Sequence, residues 1–255
     1  MLDIIGSREK AVAIIEKGGK REALELMGRY ANVKSVLKKQ GGRAGVFRIY
    51  KMRLLAGDKN TEVVHREYGM LFKIDPRKAY FSPREAEERQ RIAALAKNGE
   101  RILVMFSGIA PYAIAVAKQK NCEIVCAEIN KKAAEYANGN LRINKLAGSV
   151  ENICADIKKV YKKIGKFDRI LMPLPETAYK FLPEAFAAAK KGAVIQLYGI
   201  SEEKNLFADV EEKAEKIAEK NGIKCRIIRR QKVLPFGVRM WKVRLDLKML
   251  KDFPC

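Results

Sequence analysis

Four stretches place chemistry-bearing residues where an apolar run gives way to a helical one. In RILVMFSGIAPYAIA, Gly108 falls between strand and helix. A glycine there lets a ligand approach backbone that a Cβ would block, with the amides of the next helix close by. The full G-x-G-x-x-G of dinucleotide binders is missing, so a plain turn is the competing reading. Roughly twenty residues on, EIVCAEI carries Glu128, spaced to accept hydrogen bonds from a ribose diol. The alternative is an acid favoured by a helix N-terminus. Asp156, in VENICADI, ends a third run, where a residue contacting adenine would stand. A fourth run, DRILM, meets Pro173-Leu174-Pro175. Proline fixes φ, removes a donor and pushes the preceding residue toward extended geometry, so this turn is stiff. Strand ends of an open α/β sheet converge on one crevice, and Gly108, Glu128, Asp156 and Pro173 are expected to share it.

The elements that must hold these residues follow from periodicity. From RILVMF through AVIQLYGI, strand-like and helix-like runs alternate, which predicts a doubly wound, mostly parallel α/β sheet. A helix is expected to open after Ser82-Pro83. Upstream, AVAII reads as a strand, REALELMGRYA as a helix and VFRIYKMRLLAG as a strand ending at Gly57, a small α+β domain over residues 1–76 ahead of a larger domain over 77–255. The tail, CRIIRRQKVL and MWKVRLDLKML about a Pro-Phe-Gly turn, reads as an edge hairpin.

Composition narrows the partners. The 255 residues carry 52 Lys and Arg against 30 Asp and Glu, a net charge of +22 spread along the whole chain. A polyanionic partner is the direct implication; a lysine-rich solvated surface of the thermophile kind is the alternative. No apolar window is long enough for a membrane span, and the N-terminus does not read as a signal peptide, so an intracellular, cytoplasmic protein is expected. Five scattered cysteines read as buried thiols. The single histidine, His65, argues against a histidine-based metal site or a Ser-His-Asp triad, and no metal is expected.

Four stretches, HREYG (65–69), YFSPREAEER (80–89), AEINKKAAEYANGNLRINK and MPLPETAYKF, resemble the archaeal and eukaryotic tRNA guanine-37 N1-methyltransferases. These are S-adenosylmethionine-dependent class I enzymes, and the resemblance runs over nearly the whole chain. It implies a Rossmann-like methyltransferase domain behind a basic N-terminal domain that recognises tRNA, with a monomer expected. It also implies that Glu88 is the general base for the guanine N1 proton and that Arg48, in VFRIY, stabilises charge growing on the base carbonyl. The methyl-donor site it implies comprises Tyr80, Phe81, Ser82, Arg84, Phe106, Gly108, Glu128, Ile129, Asn130, Asp156, Ile157, Pro173 and Pro175. Two departures stand out. Most members read Asn-Leu-Pro where this chain has Pro173-Leu174-Pro175; proline offers no side-chain hydrogen bond. That change resembles an archaeal subgroup that also methylates carbon 7 of the tricyclic wyosine precursor. Archaeal relatives often carry an extra N-terminal domain that this sequence does not begin with. An aminocarboxypropyl transferase of wyosine synthesis and a non-catalytic RNA-binding module are the alternative readings; the retained Leu-Pro-x-x-Ala pattern (Leu174 to Ala178) weighs against the first.

Overall fold

A computed structural model of the chain describes residues 2–45, 47 and 49–250. Its centre is a seven-stranded sheet. The alternating segments form β7 (Arg101–Met105), α3 (Pro111–Gln119), β8 (Glu123–Glu128), α4 (Lys131–Ile143), β9 (Ser149–Cys154), α5 (Ile157–Val160), β10 (Phe167–Met172), α6 (Leu182–Ala188) and β11 (Ala189–Glu202). After α7 (Ala208–Lys220), β12 (Cys225–Gly237) and β13 (Met240–Met249) complete the sheet in the order β12-β13-β11-β10-β7-β8-β9. Strands β9, β8, β7, β10 and β11 pair in parallel, whereas β13 is antiparallel to both neighbours. This is the class I methyltransferase arrangement expected for the chain. Central strands are covered on both faces, which is why residues 102–105 of β7 and 170–172 of β10 read as unbroken apolar runs rather than alternating ones.

The C-terminal hairpin differs in detail from expectation. Pro235, Phe236 and Gly237 belong to β12, and the turn is Val238-Arg239, with Arg239 at φ +54°. Register shifts at Lys232/Leu234 and Pro235/Gly237 take up the proline, which an edge strand tolerates because one side of it needs no ladder bond.

The N-terminal sheet runs β1 (Leu2–Gly6), β2 (Ala11–Ile15), β3 (Val33–Ala44) and β4 (Ile49–Gly57), with α1 (Lys20–Arg29) on one face. All five residues of β2 are buried. Ala11, Ala13 and Ile15 pack toward α1, whereas Val12 and Ile14 join the core that contains Ile92 and Ile102. Between the sheets lies a hairpin, β5 (Val63–Glu67) and β6 (Met70–Ile74). Its His65 Nδ1 accepts from Gly6 N at 3.2 Å on one side; on the other, Lys73 N donates to Asn140 Oδ1 at 2.7 Å. The boundary expected at residue 76 thus falls just beyond a hairpin bonded to both lobes. A 3-10 turn, Pro83–Glu85, then leads into α2 (Ala86–Leu95).

The expectation of uniformly buried thiols is corrected: Cys122 and Cys126 are buried, Cys225 is intermediate and Cys154 is exposed. Burial pushes the Cys126 thiol up to about 12, which suits an inert core group. Cys255 lies outside the described residues. Among the described residues no helix is long and apolar enough to cross a membrane, and no cluster of metal-ligating side chains occurs.

Candidate active-site crevice

One crevice opens where the C-terminal ends of β7, β8 and β10 face the N-terminal sheet and the β12-β13 hairpin. Its floor is built by backbone. Gly108 sits at φ +58° between β7 and α3, a left-handed conformation that a side chain would strain. Its N–H donates to Glu128 Oε2 at 2.7 Å, while Asn130 N donates to Glu128 Oε1 at 2.7 Å. Glu128 therefore ties the glycine turn to the start of α4 and still borders the crevice. Burial pushes its carboxyl above the usual range, with the amides of Asn130 and Gly108 pulling back. A buried carboxylate with spare lone pairs is suited to paired hydroxyls. Asn130 caps α4 through Lys132 N at 3.0 Å and anchors to Lys78 O at 3.1 Å. Phe106, Ile129, Pro173 and Pro175 line the same space. Beyond Pro173, Leu174 N bonds to Met172 O at 2.9 Å and Ala178 N to Leu174 O at 2.8 Å, so the stiff turn is also internally bonded.

The YFSPREAEER segment forms the next wall. Tyr80, Phe81, Ser82, Arg84 and Glu85 all line the crevice. Phe81 packs against His65 and Phe72, with Arg89 Cζ 4.9 Å from its ring. Arg89, 1% exposed, bonds Glu67 Oε1 at 2.6 Å and Ser82 O at 3.1 Å, locking α2 to β5. Arg84 Nε reaches Asp3 Oδ1 at 3.0 Å, joining this wall to β1.

Glu88 is placed differently from the crevice residues. It is 1% exposed and does not border the crevice. Tyr198 Oη donates to its Oε1 at 2.8 Å, Arg244 Nη1 pairs with the same oxygen, and Arg91 Nη1 donates to Oε2 at 2.7 Å. Asp156 caps the short α5 through Lys158 N at 3.0 Å, and Ile157 is buried beneath it; neither lines the crevice. Gly108, Glu128 and Pro173 are thus brought together, without Asp156. Arg48 lies outside the described residues.

Two crevice groups escaped the sequence reading. Lys242 Nζ pairs with Glu85 Oε2 at 2.8 Å, and both residues are buried yet line the crevice. Tyr112 Oη donates to Glu85 Oε2 at 3.0 Å and Tyr80 Oη contacts Oε1 at 3.4 Å. Burial alone would raise the Glu85 carboxyl, but the Lys242 ammonium and Arg89 outweigh it and hold it below the usual range. The signal was the alternation Lys242, Arg244, Asp246 in β13. It resembles a solvated strand face, whereas all three are buried, the first two against Glu85 and Glu88. The outer walls come from Tyr50 and Met52 of β4, from Phe47, 52% exposed, and from Leu234, Pro235 and Phe236 of β12. Lys51, Arg53, Arg226, Arg229, Arg230 and Lys232, on β4 and β12, are exposed.

Residues 63–228 match the TRM5/TYW2 methyltransferase domain. The chain is 33% identical over 253 residues to the tRNA (guanine(37)-N(1))-methyltransferase Trm5b of Pyrococcus abyssi, covering 97% of itself and 74% of that relative. It is 32% identical over 238 residues to the tRNA(Phe) (4-demethylwyosine(37)-C(7)) aminocarboxypropyltransferase of Methanocaldococcus jannaschii, covering 93% of itself and 94% of that relative. The crystal structure of M. jannaschii TYW2 in complex with AdoMet superposes with a TM-score of 0.74 at 28% identity, covering 99% of this chain and all of the other.

Proposed function

The chain belongs to the TRM5/TYW2 methyltransferase family, and from that premise we propose that it transfers a methyl group from S-adenosylmethionine to N1 of guanosine 37 in tRNA. The observation that carries this reading is the crevice itself. One wall holds Gly108, Glu128, Asn130 and the Pro173 turn, and the facing walls come from the basic N-terminal sheet and hairpin. The name of the Pyrococcus abyssi relative supports the methyl transfer, and the AdoMet-bound neighbour supports the donor.

The residues present fit the methyl donor. Glu128 would accept from the ribose hydroxyls, Gly108 would admit the ligand close to backbone, and Phe106 and Ile129 would flank it. Bound there, S-adenosylmethionine supplies an electrophilic sulfonium methyl. The chain's own residues must present the base edge-on and dispose of the N1 proton, which is weakly acidic, so the nitrogen reacts well only as that proton leaves. Glu88, the residue matched to that task by resemblance, would have to release Arg244 and Tyr198 to reach a base in the crevice. The tRNA phosphates would lie on the cations of β4 and β12. A monomer is the proposed working state, with residues 1–76 the tRNA-recognising part.

A second reading is favoured by one observation: the chain also spans nearly the whole aminocarboxypropyltransferase relative. Mass decides between them, because the two groups transferred differ by more than a methyl. The test is transfer of label from methyl-labelled S-adenosylmethionine to unmodified tRNA transcripts. Transcripts with guanosine at 37 should be labelled and those with adenosine at 37 should not. Label on neither, with the methyl donor bound, would remove the guanosine reading and leave the aminocarboxypropyl transferase, whose labelled methyl stays on sulfur, or an RNA-binding module.

A further inference from the structure

We infer that a second cavity, which meets the crevice at Pro175, is a subsite for a nucleobase flanking guanosine 37, held by stacking on Tyr179. This rests on the guanosine reading above. The cavity has a volume of about 270 Å³, and Pro175 borders both spaces. Its floor is apolar, formed by Tyr198 and Ile200 of β11, Val210 of α7 and Met240 of β13.

Tyr179, in the 3-10 turn Ala178–Phe181, stands on the wall. It packs against the core that holds Val210 and Ala214, so its ring is in place before any ligand arrives. Lys213 Nζ lies 5.3 Å and Lys180 Nζ 5.9 Å from the ring centroid. Both lysines are exposed, as is Arg239 beside Met240. An aromatic ring among cations is the combination that binds single-stranded RNA: a base stacks on the ring and the neighbouring phosphates meet the cations.

Connectivity selects the occupant. A target base must leave its stack to enter the crevice, and the nucleotides on either side lose a stacking partner when it does. A flanking base that enters the second cavity regains one in Tyr179. The charged groups lining the cavity are Glu176, Glu202, Asp209 and Lys213. The carboxylates repel phosphate, so the base and not the backbone points inward. Glu202 and Asp209 are exposed at the rim, and carboxylates accept from the exocyclic amino group of a base such as adenine or cytosine, a group that uracil lacks. The ligand class of this subsite is therefore an amino-bearing base.

The experiment measures equilibrium binding of the full chain to tRNA transcripts with guanosine at 37 and one abasic residue, at 36 or at 38. At one of these two positions, losing the base should weaken wild-type binding about 5- to 100-fold, the worth of a base stacked on an aromatic ring. Tyr179→Leu keeps apolar packing but removes the ring. It should bind intact tRNA more weakly by a similar factor and no longer respond to that abasic residue, whereas Tyr179→Phe should behave as wild type. Calorimetry with S-adenosylmethionine checks that each variant is folded. With adenosine against purine ribonucleoside, which lacks the amino group, at the same position, wild type should prefer adenosine about three- to tenfold. The double variant Glu202→Gln, Asp209→Asn should lose that preference. Wild type indifferent to abasic residues at both positions, or Tyr179→Leu responding in full, overturns the subsite; wild type blind to the amino group overturns the role of the carboxylates. Wild type that binds these transcripts yet leaves guanosine 37 unmethylated overturns the reading beneath the inference.

Discussion

At the scale of single residues, the crevice depends on carboxylates whose surroundings set different protonation states. Glu128 has its pKa raised by burial, so its contribution to stability is full below the carboxylate's unfolded pKa and is lost as pH rises through the folded value. The methyl donor's hydroxyls favour the ionised form, so affinity for it should weaken as pH falls through that raised value; calorimetry across mildly acidic pH measures this. Glu128→Ala should weaken binding by about 1.5–3 kcal/mol, the loss of charge-assisted hydrogen bonds, and an unchanged affinity would remove Glu128 from the site. Gly108, Glu128 and Pro173 could be found from sequence because each stands at a strand end, a position that the apolar runs mark. Glu85 could not. A glutamate in a first helical turn reads as a surface group answering the dipole, and only the fold brings Lys242 against it from a strand more than 150 residues away. Asp156 stands off the crevice lining for a related reason: the strand-end pattern marks a rim, and one carboxylate oxygen caps α5 there.

At the scale of elements, α2 is held by ion pairs as well as by buried Ile92 and Ala93. Arg89 joins it to Glu67 of β5 and Glu88 joins it to β13, while Glu85 joins the turn ahead of it to β13. Arg89→Met leaves the Glu67 carboxylate buried without its cation, and urea unfolding should show a loss of about 3–5 kcal/mol. Because partners hold the Glu67 pKa below its usual value against burial, its contribution is present above the unfolded carboxylate pKa. It disappears as pH falls through the folded value, so the gap between variant and wild type should narrow in acid. The Pro173 turn makes a separate prediction. Without an amide side chain, it would place fewer polar demands on the base, and on the reading from the resemblance it would admit a tricyclic one. Pro173→Asn should therefore lower methylation of the wyosine precursor much more than that of guanosine, as product analysis on both tRNAs would show; equal losses leave Pro173 a structural role alone. The parallel sheet was legible because strand and helix runs alternate with short turns. The strands β1, β3, β5 and β6 and the helix α7 were not, since their apolar residues are interrupted by charged ones that tertiary packing, not local pattern, arranges.

At the scale of the whole molecule, the positive charge and the two-lobed crevice belong to one account. If the cations of β4 and β12 lie along phosphates, tRNA affinity should fall steeply as salt rises, because each neutralised phosphate releases counterions. Binding of the small methyl donor should scarcely respond. A flat tRNA response would assign the +22 to a thermophile-like solvated surface. Composition made a polyanion legible, but not which surface meets it, because the lysines and arginines are spread evenly along the sequence and converge only through folding. The most direct measurement of the central claim is nucleoside mass spectrometry of tRNA after incubation with S-adenosylmethionine and the protein. The account predicts 1-methylguanosine at position 37 in a transcript that begins with unmodified guanosine there. A methyl group on any other nucleoside, or an aminocarboxypropyl group in its place, would contradict it.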